Sequence, residues 1–196
     1  MAIRLKKLLG IVNGAREPAS VAQHRTAAVL VADVVGYTRL MCVDQDRTYA
    51  DYTACRWQLI DPLVVGHGGR VVKSTGDGFL AEFGSPISAA RCAVLLQQYI
   101  AESNEEIPPD RRIVFRLGLS YGPIIADSDD IHGKEVNVAA RLQTLAQPGG
   151  MAMSIKVVEV IRGLVELHEL EDLGFQLLKN IAPAVRTFHY RDPACA

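Results

Sequence analysis

Apolar residues lie along the chain in short runs and in periodic stretches, and these two patterns predict different elements. The apolar run from Ala27 to Ala32 predicts a buried strand that ends at Asp33. Apolar positions recur at helical spacing between Asp44 and Val65, and the glycines that follow are a common helix-ending signal. Apolar and polar residues alternate between Ile113 and Ser120, which predicts a half-buried strand.

Turn and capping residues mark the other elements. The segment Thr75–Gly78 predicts a hairpin turn with positive φ angles, and Ser85 followed by Pro86 predicts the start of a helix. The further predicted elements are strands at 70–74, 79–83, 151–153, 166–173 and 185–190, and helices at 86–103, 134–146 and 154–162. The order β-α-β-β-α-β predicts an α+β fold with a ferredoxin-like core: an antiparallel sheet, helices packed on one face, and extra C-terminal strands.

Composition favours one globular domain, expected at residues 23–193, and excludes several classes of partner. The chain has 196 residues, of which 49% are hydrophobic and 22% charged, and its net charge is −1. Since no broad basic surface exists, we expect no nucleic-acid partner. No apolar stretch reaches the roughly 18 residues of a membrane span. The four cysteines lack metal-ligand spacing, which is typical of reduced thiols in a cytoplasmic protein. Residues 1–22 are predicted to be a flexible leader without stable membrane association.

Two aspartates follow predicted strands, where an unpaired buried charge is costly. Asp33 ends the first strand, and Asp77 lies in the hairpin, whose strand pairs beside the first strand in a β-α-β-β unit. A divalent metal that also holds phosphates is a suitable shared counter-ion. The turn after Asp33 offers backbone N–H groups as an anion cradle, at Val35, Gly36, Tyr37 and Thr38. Taken singly, each aspartate is also compatible with ordinary turn chemistry.

A third cluster lies on the helix predicted at 134–146. Asn137 and Arg141 are four residues apart and therefore share one helix face. An amide beside a guanidinium suits negative charge that develops on phosphorus. A solvated helix face remains the simple alternative.

These residues occur in motifs that resemble those of class III adenylyl and guanylyl cyclases, single-domain bacterial type. The segment from Asp33 to Thr38 resembles the family's Asp-Ile-x-Gly-Phe-Thr metal motif, and Lys73–Gly78 resembles its second metal motif. The segment Asp130–Leu142 resembles the substrate and transition-state motif. The motif of Arg116, Gly118 and Gly122 and the segment Leu178–Asn180 also fit, so the resemblance covers about residues 25–191.

The resemblance implies a role for each of these residues. Asp33, Asp77 and the Val34 carbonyl would bind two Mg²⁺ or Mn²⁺ ions. Asn137 would orient the ribose and Arg141 would stabilise the transition state. The remaining implied substrate contacts are Lys73 and Asp130 to the base and Lys179 to the terminal phosphates. The active unit implied is a homodimer with two interfacial sites.

The hydrogen-bonding groups of Lys73 and Asp130 suit adenine better than guanine. Adenine presents an acceptor at N1 and a donor at N6, which complement the donor Lys73 and the acceptor Asp130. Guanine presents the inverse pattern and would leave polar groups unpaired, so the pair favours ATP and cyclic AMP as product. Tyr37 replaces the usual Phe, and His132 replaces a common aromatic beside Asp130. A guanylate cyclase, a non-catalytic nucleotide-binding regulatory module and a polymerase-palm-type nucleotidyl transferase remain the alternatives.

Overall fold

A computed structural model describes residues 22–167 and 170–192, so the expected leader lies almost wholly outside the described residues. The strands are β1 Gln23–Val34, β2 Gly69–Ser74, β3 Gly78–Phe83, β4 Phe115–Ala126, β5 Ile131–His132, β6 Gly150–Ser154, β7 Glu171–Gln176 and β8 Val185–Arg191. The helices are α1 Tyr37–Val43, α2 Gln45–Cys55, α3 Asp61–Gly66, α4 Pro86–Ser103, α5 Lys134–Leu145 and α6 Ile155–Ile161. A π-helical turn, Arg56–Ile60, joins α2 to α3, so the helix predicted at 44–65 is continuous but not regular.

The eight strands form one sheet in the order β2-β3-β1-β4-β6-β8-β7, with β5 paired to β4. Strand β1 lies antiparallel to both β3 and β4, as in a ferredoxin-like core. The predicted fold class is therefore confirmed. Strand β7 begins at Glu171 rather than near residue 166, because the chain after α6 first turns back, with the N–H groups of Leu164 and Val165 donating to the Ile161 carbonyl.

The larger hydrophobic core lies on one face of the sheet, beneath α2, α3, α4 and α6. Alternate residues of β1 point into it, which the strand period of two requires. The intervening residues Ala27 and Val29 point to the opposite face, where they pack with Ala139 of α5. The expected packing of helices on one face holds for α2, α3, α4 and α6, whereas α5 is, among the described residues, the helix that covers the second face. Its approach depends on Gly118 in β4, because a Cβ there would lie 2.1 Å from the Ala139 carbonyl oxygen.

Candidate active site

The two predicted metal-binding aspartates lie side by side at the ends of neighbouring strands. Asp33 pairs in register with Gly78, and the Val34 N–H donates to the Asp77 carbonyl over 2.8 Å. A Cβ at Gly78 would lie 1.9 Å from the carbonyl oxygen of Ala32, so this close strand pairing requires glycine. The hairpin is tight because Gly76 adopts φ +94, as the turn residues predict. The topology therefore brings Asp77 to Asp33.

The surroundings of Asp33 are unfavourable for its own charge. Burial, with a further contribution from the neighbouring Asp77, raises its pKa to about 6. Arg116, which faces Asp33 across the β1–β4 pairing, and a hydrogen bond from the Gln143 side chain act in the opposite direction. Carboxylates and carbonyls are the oxygen ligands that Mg²⁺ prefers. Two close carboxylates without enough nearby positive charge fit a divalent cation, and the Val34 carbonyl remains the third predicted ligand.

The turn after Asp33 is held firmly. Gly36 adopts φ +66 and precedes α1. The Tyr37 ring packs edge-on against Tyr52, with ring centroids 5.7 Å apart, and the Tyr52 hydroxyl donates to the Gly78 carbonyl over 2.8 Å. One part of the predicted anion cradle is wrong: the Val35 N–H donates to the Val114 carbonyl over 2.8 Å, since the chain still pairs there with the segment before β4. Gly36, Tyr37 and Thr38 remain the predicted donors.

Lys73 and Asp130, the predicted base-reading residues, form an ion pair with 2.5 Å between Nζ and the carboxylate. Burial raises the pKa of Asp130, but hydrogen bonds from Lys73 and the Ile131 N–H, together with the charge of Lys73, outweigh it, so that the net pKa is lowered. The Asp127 carboxylate orders the preceding loop by accepting from the backbone N–H groups of Asp129 and Asp130 over 2.9 and 2.6 Å. His132 is exposed and lies 3.9 Å from the Asp127 carboxylate, so it belongs to the loop surface.

Helix α5 carries Asn137 and Arg141 on its outward side. With about 100° between successive residues, they lie about 120° and 160° around the axis from Gln143. Gln143 is 7% exposed and its side chain reaches Asp33, whereas Asn137 is exposed and Arg141 is half-buried. The predicted shared face of Asn137 and Arg141 is confirmed by this helix. This face points away from Asp33 and Asp77, the predicted metal-binding aspartates, of the same chain.

Lys179 lies in the loop between β7 and β8. Leu178 is buried against Val138 and Leu142 of α5, and this contact fixes the loop along the outer part of the helix. Lys179 itself is exposed. The structure thus places it on the α5 side of the molecule, as it does Asn137 and Arg141.

Sequence reasoning missed four residues of the site. Arg116 was noted only as part of a motif, and its position opposite Asp33 follows from strand register. Gln143 could be found from its spacing, because it lies four residues after the small Ala139 on the buried stripe of α5. Arg70 contacts the loop that carries Asp130, Glu82 contacts Arg70, and only the structure reveals these contacts.

Comparison of the sequence with protein-family models identifies the family of the chain. The family model of the adenylate and guanylate cyclase catalytic domain matches residues 19–185. The chain belongs to this family. Cyclase domains of this family bind a nucleotide, generally use divalent metal ions and work as dimers.

Individual relatives are cyclases by name. "Putative adenylate cyclase 3" of Rhizobium meliloti (strain 1021) is 46% identical over 160 residues, covering 81% of this chain and 27% of the relative. The adenylate cyclase of Glutamicibacter nicotianae is 31% identical over 161 residues, covering 82% of this chain and 36% of the relative. The crystal structure of an adenylate/guanylate cyclase/hydrolase from Silicibacter pomeroyi matches with a TM-score of 0.82 and 37% identity, covering 88% of this chain and 99% of that one.

This cyclase chain spans about a quarter to a third of the length of the two curated relatives. Within residues 22–167 and 170–192, no helix is long and apolar enough to cross a membrane.

Proposed function

We propose that this cyclase domain is an adenylate cyclase that converts ATP to 3′,5′-cyclic AMP and pyrophosphate. The observation that carries the choice of ATP is the ion pair of Lys73 and Asp130, in which both side chains are partly exposed. The pair offers one donor and one acceptor, which complement N1 and the N6 amino group of adenine. Guanine would set donor against donor and acceptor against acceptor at the same two groups.

The reaction is an intramolecular phosphoryl transfer. The ribose 3′ oxygen forms a bond to the α-phosphorus, the bond from phosphorus to the bridging oxygen breaks, pyrophosphate leaves, and the hydroxyl proton passes to solvent. Two divalent ions bound by Asp33, Asp77 and the Val34 carbonyl would acidify that hydroxyl and neutralise the leaving group. Gly36, Tyr37 and Thr38 donate backbone N–H groups to the phosphates, and the Tyr52 contacts hold this turn in place.

The remaining groups act by position and charge. Asn137 orients the ribose so that the 3′ oxygen faces the phosphorus, and Arg141 donates to the phosphoryl oxygens as their charge grows. Lys179 binds the terminal phosphates. No side chain is assigned as a general base, because bound ions would lower the pKa of the hydroxyl enough for its proton to pass to solvent.

The active site is completed by a second copy of the chain. Gln143 faces Asp33, whereas Asn137 and Arg141 lie on the far side of the same helix. One chain therefore cannot direct Arg141 at a phosphate held beside its own Asp33. A two-fold homodimer can, because the outer side of one α5 meets the strand ends of the partner, which creates two identical sites.

Product analysis tests this function directly. The purified protein is incubated with ATP or GTP and with Mg²⁺ or Mn²⁺, and nucleotides are separated by chromatography. We expect cyclic AMP with either metal and little cyclic GMP. Cyclic GMP as the main product would identify a guanylate cyclase, and the absence of both products in a demonstrated dimer would favour a regulatory nucleotide-binding module.

A further inference from the structure

Arg70, which is not among the predicted substrate contacts, joins two separate parts of the base-reading site. Its Nε donates to the carboxylate of Glu82 on β3. Its Nη1 donates to the Ser128 carbonyl over 3.1 Å, and its Nη2 lies 3.4 Å from the Asp127 carbonyl. One guanidinium therefore connects a buried carboxylate in the sheet to the loop that presents Asp130.

A β-bulge explains why Arg70 and Lys73 reach the same loop. In a regular strand, residues three apart point to opposite faces. The pairing of β2 with β3 shifts between Val71 and Lys73, so one extra residue reverses the alternation. Arg70 then contacts the loop at Asp127 and Ser128, and Lys73 contacts it at Asp130. The bulge thus aims two basic side chains at one target.

Glu82 gives Arg70 a fixed anchor. Glu82 is 3% exposed and lies on β3, between β2 and β1, so a charge there must be compensated by nearby cations. Arg25 of β1 also binds it, with 2.5 Å between Nη2 and the carboxylate. Arg25 and Arg70 therefore share one buried partner, and Arg70 in addition contacts the loop at Asp127 and Ser128.

We propose that Arg70, anchored by Glu82, is a positioning residue that sets base selectivity by holding the loop of residues 127–130 against Lys73. This rests on the proposed function, because it concerns how the same site distinguishes adenine from guanine. Selectivity needs the Asp130 carboxylate at a fixed place, since a loop that moves by about 1 Å can accommodate the wrong base. Without the Arg70 contacts, the carbonyls of Asp127 and Ser128 lose their charged donor.

The chain offers a matched set of variants. Arg70→Lys keeps a positive charge beside Glu82 but lacks the planar group whose separate nitrogens reach both the carboxylate and the loop carbonyls. Arg70→Gln removes the charge as well. Arg25→Gln also removes one cation from Glu82, but leaves the loop contacts in place, and therefore serves as the control for any loss of sheet stability.

Two measurements separate this inference from the proposed function. Hydrogen exchange of the backbone amides of 127–131, followed by mass spectrometry without nucleotide, reports loop order directly. We expect roughly tenfold faster exchange in Arg70→Lys and Arg70→Gln, and little change in Arg25→Gln. The ratio of kcat/KM for ATP to that for GTP should fall roughly fivefold to tenfold in both Arg70 variants and stay near the unaltered value in Arg25→Gln.

Each outcome either supports or overturns the positioning role of Arg70. Unchanged loop exchange in Arg70→Lys would overturn the inference, whatever the unaltered protein synthesises. An equal loss of selectivity in Arg25→Gln and Arg70→Lys would show that compensation of Glu82, not the loop contact, is responsible. If the unaltered protein makes no cyclic nucleotide but the exchange result holds, the proposed function fails while the positioning role of Arg70 stands.

Discussion

Asp33 should destabilise the folded protein when no metal is bound, and Asp33→Asn should relieve that cost. The pKa of Asp33 rises from 3.8 to about 6 through burial and the nearby Asp77. That difference corresponds to at most about 3 kcal/mol of unfavourable charge at neutral pH. Because the side chain is only half-buried, solvent screening reduces the expected cost to about 1 kcal/mol. The side-chain amide introduced by Asp33→Asn can still accept the hydrogen bond from Gln143. The substitution therefore removes the negative charge but keeps this contact.

The pH dependence follows from the direction of the shift. The folded-state pKa lies above the unfolded value, so the folded chain binds more protons between about pH 4 and pH 6. Stability is therefore lost as the pH rises through this window, and the full cost is present above about pH 7. At pH 5, Asp33 is mostly protonated in the folded chain, and about half of the cost is relieved. The advantage of Asp33→Asn over the unaltered protein should grow from pH 5 to pH 8.

Thermal unfolding by circular dichroism, with chelator present and protein concentration fixed, measures the effect. For a domain of this size, about 1 kcal/mol should raise the Tm of Asp33→Asn by roughly 2–4 °C at pH 8. Asp110→Asn, at an exposed loop position, is the charge-matched control and should change little. Adding Mg²⁺ or Mn²⁺ should raise the Tm of the unaltered protein and of the control but not that of Asp33→Asn. A metal-free Tm for Asp33→Asn at or below that of the unaltered protein at pH 8 would refute the reasoning.

Three further predictions follow from the site. Mixing inactive Asp33→Ala and Arg141→Ala proteins should restore cyclic AMP synthesis to about half the wild-type activity per mixed dimer, because one of its two sites then contains only native residues. No recovery, despite measured subunit exchange, would contradict the interfacial site. The double variant Lys73→Glu with Asp130→Cys should lower kcat/KM for ATP and raise relative use of GTP, measured by product chromatography; an unchanged ATP preference would exclude these residues as base readers. Gly78→Ala should lower the free energy of unfolding, measured by urea denaturation, by several kcal/mol, because its Cβ would lie 1.9 Å from a β1 carbonyl oxygen. Gly84→Ala, which has open space around it, is the control and should change this free energy little.

The order of elements and the pairing of Asp33 with Asp77 were predictable from the sequence. Apolar runs and turn residues locate β1 and the hairpin, and the β-α-β-β order leaves few ways to pair them. The shared helix face of Asn137 and Arg141 was predictable for a similar reason, since helical period alone decides it. These features depend on local pattern and simple topology.

Features that depend on how elements meet were not predictable. The Val35 N–H was expected to face an anion, but pairing with Val114 continues one residue beyond Val34. The bulge at Val71–Lys73 leaves no composition signal, although it decides which side chains reach the Asp130 loop. The position of α5 on the second face depends on the missing Cβ of Gly118. The sequence motif that contains Gly118 could be identified, but its contact with Ala139 of α5 could not.

Helix α5 gives the proposed dimer a physical link between its two active sites. Its inner side places Gln143 on the Asp33 carboxylate, and its outer side presents Asn137 and Arg141. In a two-fold assembly, each α5 would therefore support the metal ligands of one site and the transition-state residues of the other. A packed helix moves as a rigid unit, since shifting one side of it displaces the other. In the proposed dimer, displacement of α5 by partner contacts would alter both sites together, so assembly and catalysis would depend on the same helix.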